Sequence, residues 1–182
     1  MSNINFTLII IVFLFILYYF YEIFIKDKLF ENMNNCYSYA FDRMGNYKKK
    51  PQPGKFSNIR KVIGKKNYKC SAFVKRVLAD NKNARFVSIK DYKSNGKCNN
   101  DENTVFLAVD NTGVSIDYHF YKKEPNDIYW THKPGNSHVR NFDSDGKKIL
   151  NPLIANRDYE KKDINNEHKW NYSKPCGFFC YK

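Results

Sequence analysis

The chain has few acidic residues for its length. Its 182 residues include 18 Asp and Glu against 31 Lys and Arg, which gives a formal net charge of +13. Such an excess of positive charge suits nucleic acid, an anionic membrane surface or an acidic substrate. The sequence contains no recognised nucleic-acid-binding module, so we expect a membrane or a substrate as the partner and no specific nucleic acid.

Closely paired metal ligands are missing as well. The five cysteines never stand in a C-x-x-C pair, and His132 and His138 are six residues apart. Structural zinc sites usually take ligands at short, paired spacings. We therefore expect no metal and no other cofactor.

The long hydrophobic run lies near the N-terminus, from Phe6 to Ile25, and only Thr7 and Glu22 interrupt it. A helix needs about 20 such residues to cross the hydrocarbon core of a bilayer. No basic residue precedes the run and no small-x-small cleavage site follows it, which favours a retained anchor over a removable signal peptide. We predict a single-pass transmembrane anchor at residues 1–27, a polar linker at residues 28–33 and one domain at residues 34–182.

The side of the membrane on which this domain lies stays open. Lys26 and Lys28 follow the run directly, and the positive-inside tendency then places the domain on the cytoplasmic side. The number of cysteines favours the other side, where disulfides form.

The cysteines leave their own pairing open. Bridges between Cys176 and Cys180 and between Cys70 and Cys98 would leave Cys36 as the odd thiol. Reduced cysteines in a cytosolic domain are the alternative.

A β-hairpin with two histidines is predicted in the middle of the domain. Residues 116–121 and 128–132 have strand character, and residues 124–127 are typical of a turn. A turn centred between Pro125 and Asn126 places His119 directly opposite His132, on the same face of the hairpin. The alternative is a pair of ordinary half-buried histidines among aromatic residues.

Two helices are predicted upstream of the hairpin. Asn34 or Asn35 is a suitable N-cap for a helix that begins at Cys36 and ends near Gly45. A thiol in the first turn of a helix is favoured as a thiolate by the helix dipole. The second helix runs from about residue 69 to 80 and places Cys70 near its start, which makes Cys70 a rival reactive thiol.

The remaining pattern indicates strands. Residues 104–110 are nearly all apolar, as expected for a central strand, and a turn is expected at residues 111–113. Residues 85–89 and 177–181 also have strand character. The predicted fold class is α+β, with the N-terminal transmembrane helix followed by two or three helices and an antiparallel sheet.

Several motifs of the domain together resemble a set of domains from large DNA viruses and bacteria. These are similar in architecture to the papain-like NlpC/P60 and CHAP cysteine hydrolases. The likeness covers most of the chain from Asn34 onward, and its motifs are residues 35–40, 51–54, 117–121, 130–135 and 176–179.

The resemblance implies a catalytic role for three residues. Cys36 would be the nucleophile, His119 the base and His132 the polar group that orients the base, a role that Asp117 or Asp143 could also take. The cleft would be lined by Gln52 and Trp130. The segment that follows Cys70 is reminiscent of the nucleophile helix of NlpC/P60 enzymes, so Cys70 stays the alternative nucleophile.

The implied function is that of a membrane-anchored thiol hydrolase, a peptidase or amidase that acts on a peptide or isopeptide in a virion or host membrane. The alternative is a catalytically inactive structural protein of a virion or membrane with the same fold.

Overall fold

A computed structural model of the chain describes residues 2–59, 61, 63–64, 68–94, 96–110, 116–159 and 170–182. The turn expected at residues 111–113 lies outside them. The helices are α1 (Ser2–Met33), α2 (Cys36–Ala40), α3 (Cys70–Asp80) and α4 (Ile89–Lys93). The strands are β1 (Arg85–Val87), β2 (Asn103–Asp110), β3 (Asp117–Lys123) and β4 (Lys174–Tyr181).

The strands form one antiparallel sheet in the order β1-β4-β2-β3. β2 lies inside the sheet and is buried from Thr104 to Asp110, because its apolar residues face a core on both sides. The mixture of helices with an antiparallel sheet and the apolar N-terminal helix confirm the predicted α+β class.

Each face of the sheet covers its own core. α2 and α3 pack on the first face, where Tyr37, Phe41 and Phe73 meet Leu107 and Phe120. The second face is covered by α4 and by the irregular segment after β3, and its buried core includes Phe106, Tyr121, Trp130, Ile149 and Phe178. Trp130 is predicted to line a substrate cleft. It is only 3% exposed and lies in this core instead.

The predicted hairpin differs from the observed one in register and length. After the turn that follows β3, the chain pairs with β3 through a single bridge between Lys122 and Thr131. This register differs by two residues from the expected one, in which His119 lies opposite His132. Residues 128–132 do not form the predicted strand, because the amides of Trp130 and His132 donate to the carbonyls of Ile149 and Arg140 instead. A shift by two keeps every side chain on its face, and His132 therefore stays on the His119 side of the sheet.

Two disulfides join the sheet to the elements beside it, and their pairing corrects the expected one. Cys70 of α3 is bonded to Cys176, and Cys98 is bonded to Cys180. Cys176 and Cys180 lie on one strand, about 13 Å apart at the rise of a β-strand, and a disulfide spans at most roughly 7 Å. An irregularity in the β2–β4 register between Leu107 and Ala108 turns Cys176 toward α3, while Cys180 faces the other core.

α1 is the one helix of the described residues that is long and apolar enough to cross a membrane, by length and composition; the most apolar 18-residue window within Leu8–Met33 has a mean hydropathy of 2.6. Residues 28–33, expected as a linker, instead form the last turns of this helix. The end of α1 is held by the domain: Asn34 donates to the carbonyl of Phe30, and the buried ammonium of Lys133 lies 2.7 Å from the carboxylate of Glu31.

Candidate functional site

The site begins at the turn between α1 and α2. The side chain of Asn35 accepts a hydrogen bond from the amide of Ser38, and the hydroxyl of Ser38 accepts one from the amide of Asn35. This reciprocal capping box fixes the start of α2. α2 is shorter than predicted and ends at Ala40, since Asp42 adopts a left-handed backbone conformation with φ of 53°.

Cys36 projects from the start of α2 onto the outer edge of β3. At this edge the backbone amide and carbonyl of Lys122 pair with Thr131. The backbone groups of every second residue point in the same direction, so those of Phe120 and Tyr118 also face outward. The sulfur of Cys36 lies 3.9 Å from the carbonyl oxygen of Tyr118, and the amide of Phe120 also faces it. The thiol is thus held against the backbone on both sides of His119, which is the residue between them.

The two histidines are directly hydrogen-bonded. Nε2 of His119 lies 2.7 Å from Nδ1 of His132, and Nε2 of His132 lies 2.8 Å from the carbonyl oxygen of Phe142. A carbonyl oxygen only accepts, so Nε2 of His132 carries the hydrogen and Nδ1 of the same neutral ring must accept. His119 then donates from Nε2, and its Nδ1 keeps a lone pair.

Aromatic rings hold both imidazoles in place. Tyr172 stacks on His119 at 5.0 Å between ring centroids, and Tyr121 stacks on His132 at 5.0 Å. The hydroxyl of Tyr172 donates to the carboxylate of Asp117. The histidine pair is therefore fixed by stacking as well as by hydrogen bonds.

Of the candidates for the orienting role, His132 is hydrogen-bonded to His119. Asp117, one of the alternatives, accepts from Tyr172. Asp143, the other, accepts from the backbone amides of Asp145, Lys147 and Asn156.

The ionisation of the site differs from the expectation of a thiolate at a helix start. Burial, aided by the charge of Asp117, raises the pKa of the Cys36 thiol to about 12. Burial, aided by repulsion from His132 when that ring is protonated and by the charge of Arg140, holds the pKa of His119 well below its usual range. Burial also lowers the pKa of His132 to about 4. The resting site is accordingly a neutral thiol beside two neutral imidazoles.

The rival thiol is unavailable, since Cys70 is held in its disulfide with Cys176. All five cysteines lie in the described part of the chain, and Cys36 is the free one. This agrees with the expectation that Cys36 is the odd thiol, although the partners of the other four differ.

Gln52 is an exposed residue near this site, on a loop whose neighbouring residues Pro51, Pro53 and Gly54 are buried. Its side-chain oxygen accepts a hydrogen bond from the hydroxyl of Tyr118. The loop is held by the carboxylate of Asp80, which accepts from the amides of Gly54 and Ser57 at 2.7 Å each and from the hydroxyl of Tyr37 at 2.6 Å. Asp80 therefore ties the loop to α2 and α3.

One group of potential metal ligands occurs in the described residues, formed by Cys98, Glu102 and Cys180. Both sulfurs are used in a disulfide, and Glu102 is paired with Arg85 at 2.8 Å. The donor set therefore does not fit a metal while the bridge is intact.

Sequence reasoning did not find Tyr172 or the carbonyl of Phe142. Both come from the irregular segments that precede β4, and their approach to the histidines depends on the fold rather than on local spacing. No pattern of side chains could have indicated the contribution of a main-chain carbonyl.

Comparison with known proteins shows a sequence similarity. Insoluble matrix shell protein 1 of Ruditapes philippinarum is 29% identical over 127 residues, which cover 70% of this chain and 73% of that protein. No family model matches the chain, and no solved structure matches it significantly. The resemblance to papain-like hydrolases therefore stays a prediction.

Proposed function

We propose that the protein is a membrane-anchored thiol hydrolase in which Cys36 is the nucleophile, His119 the base and His132 the residue that orients the base. The observation that carries the proposal is the hydrogen bond between the histidines, because it leaves Nδ1 of His119 as a proton acceptor. The free thiol of Cys36 packs against the backbone of Tyr118, the neighbour of His119 in β3.

The proposed reaction begins with the transfer of the Cys36 proton to Nδ1 of His119 as the sulfur attacks a substrate carbonyl. The carbon–nitrogen or carbon–oxygen bond of the substrate breaks, and the leaving group takes the proton from His119. A thioester remains on Cys36. Water then attacks the thioester carbonyl and gives a proton to His119, which returns it to the departing sulfur as the acid product leaves.

The ionisation of the site sets a condition on this reaction. The raised pKa of Cys36 and the lowered pKa of His119 both oppose a thiolate–imidazolium pair before substrate binds. The proton must therefore move together with nucleophilic attack, or after the substrate has brought polar groups to the buried thiol. His132 assists because the hydrogen bond it accepts from His119 stabilises the imidazolium that forms.

The membrane part of the proposal rests on α1. Its length and hydropathy suit a single crossing, and its last turns are joined to the domain through Glu31 and Lys133. The two disulfides support a domain on the non-cytosolic side, where such bonds persist. α1 continues for eight residues past the apolar run that ends at Ile25, about 12 Å at the rise of an α-helix, and Cys36 follows three residues after α1. The proposed chemistry therefore takes place at about this distance from the end of the apolar run.

A structural role is the second candidate. It is favoured by the similarity to a matrix shell protein and by the burial of Cys36, which is 6% exposed. In this case the histidine pair and its aromatic neighbours stabilise the core and no acyl group is transferred.

Trapping of the thioester distinguishes the two candidates. The full-length protein in neutral detergent micelles is mixed with activated acyl esters and with peptide amides, quenched in acid and analysed by mass spectrometry. A hydrolase gives an acyl adduct on Cys36 and steady release of product, both of which are lost in Cys36→Ala and kept in the surface variant His138→Ala. A folded wild-type protein with neither adduct nor product supports the structural role.

A further inference from the structure

A cavity of about 450 Å³ lies beside the proposed site, between the loop that carries Gln52, helix α3 and strand β3. Its inner wall is aromatic: the ring of Phe73 lies 4.9 Å from the rings of both Tyr68 and Tyr118. Phe73 is 1% exposed, so this wall belongs to the folded core and exists before any ligand binds.

The rest of the cavity lining is basic. The described lining residues include five cations and no acidic side chain; the cations are Lys49, Lys50, Lys55, Lys61 and Arg76. The guanidinium of Arg76 is held in place by the backbone carbonyls of Lys61 and Pro53. Like charges gathered around one cavity repel each other, and a bound anion relieves that repulsion.

Lys50, one of the lining cations, also lies near Lys133, a cation outside the lining. Burial and the nearby charge of Lys133 lower the pKa of Lys50. An anion in the cavity would favour the charged form of Lys50 and would raise its pKa again.

The cavity and the proposed nucleophile share residues. Tyr118 lines the cavity with its side chain, and its carbonyl oxygen lies 3.9 Å from the sulfur of Cys36. Gln52 lines the cavity and binds the hydroxyl of Tyr118. Tyr118 therefore separates the cavity from Cys36, with its side chain on one and its carbonyl on the other.

We propose that this cavity binds a carboxylate-bearing segment of an acidic peptide substrate, with the carboxylates among the lysines and Arg76 and the adjoining apolar part on the aromatic wall. The proposal rests on the hydrolase function above, whose scissile carbonyl would then lie at Cys36. A peptide is favoured over a membrane surface because the cations surround a concave, half-open cavity with an aromatic wall, which fits a side chain or chain segment better than a flat bilayer.

Binding is tested apart from catalysis, with full-length Cys36→Ala protein in neutral micelles. The probes are a fluorescent peptide rich in glutamate and the same peptide with glutamine in its place. Lys49→Gln combined with Lys55→Gln alters the cavity, and Lys90→Gln combined with Lys93→Gln is the control. The control pair is exposed on α4, which packs on the other face of the sheet, and it changes the net charge equally.

The cavity variant should weaken binding of the glutamate peptide about tenfold or more, and the α4 variant about twofold or less, since only the cavity charges contact the ligand. Equal losses in both variants would overturn the proposal, because binding would then follow net charge alone. If the cavity variant loses binding to vesicles rich in phosphatidylserine but keeps its binding to the peptide, the cavity binds lipid. That result would overturn the proposal as well.

A cleavage assay on the wild-type protein separates the two proposals. Faster cleavage of the glutamate peptide, with the preference lost in the cavity variant, supports both. Equal cleavage of both peptides overturns the cavity proposal and leaves the hydrolase intact. Tight, cavity-dependent binding without any cleavage supports the acidic ligand and contradicts the hydrolase.

Discussion

His119 and His132 form a hydrogen bond of 2.7 Å between Nε2 of the first ring and Nδ1 of the second. The carbonyl of Phe142 decides its direction, because it binds Nε2 of His132 and leaves only Nδ1 to accept. As a result, the other ring nitrogen of His119, Nδ1, carries no hydrogen and can accept a proton.

Both rings should be Nε2–H tautomers at neutral pH. Long-range proton–nitrogen NMR on the protein with labelled histidine should show an unprotonated, pyridine-type Nδ1 for His119 and for His132, and His138→Gln identifies one of the other signals. A protonated Nδ1 on His119 would contradict the proposed role of that atom as a base.

Alkylation of Cys36 should be slow and strongly dependent on pH. With the pKa raised from 9.0 to about 12, the thiolate fraction near pH 8 is about a thousandfold smaller in the folded protein than in the unfolded chain. The rate with iodoacetamide, followed by mass spectrometry without reductant, should keep rising beyond pH 10. A plateau of the rate below pH 9 would show that the thiol is not buried as described.

Mild acid should destabilise the domain through the histidine pair. A group whose pKa is lowered by folding contributes stability above its unfolded pKa and loses it as pH falls toward its folded pKa. For His132 this range extends from 6.5 to about 4, and the loss amounts to about 3 kcal/mol when complete. The low pKa of His119 acts in the same direction.

The thermal midpoint in neutral micelles should therefore fall steadily between pH 6.5 and 5, where few ordinary carboxylates titrate. His132→Asn should show a smaller fall, since the new side chain does not titrate, while His138→Gln should match the wild type. A midpoint that is constant over this range would contradict the burial of neutral imidazoles.

Asp80→Asn should loosen the loop that carries Gln52. The new amide group would place a donor against the amides of Gly54 and Ser57, which now donate to the carboxylate. The free energy of unfolding should fall by about 2 kcal/mol or more, as for other buried hydrogen bonds to a charged group. Chemical denaturation measures the change, and Asp127→Asn in the exposed turn after β3 serves as the control; equal stability of the two variants would contradict the role of Asp80.

The sequence predicted the parts of the fold that depend on local pattern. The helix expected at about residues 69–80 and the buried strand expected at 104–110 follow from periodicity and composition, and they occur at 70–80 and 103–110. Cys36 at a helix start follows from the capping residue Asn35.

Features that depend on distant partners were not predictable in the same way. The disulfide partners of Cys70 and Cys98 depend on the order of β4 in the sheet and on the irregularity at Cys176. The pairing of residues 130–132 depends on carbonyls that come later in the chain. The two histidines meet despite the shifted register, because a shift of two residues leaves both rings on the same face.

The rate at which an activated acyl ester acylates Cys36 tests the central claim most directly. The rate is measured at pH 7.5 on the full-length wild type, His119→Ala and His138→Ala. Near-ultraviolet circular dichroism checks that all three proteins have the same fold. A working base at His119 predicts acylation about a hundredfold slower or more in His119→Ala and unchanged in His138→Ala. Equal rates in all three folded proteins would contradict the account, because the thiol would then react without help from the histidine pair.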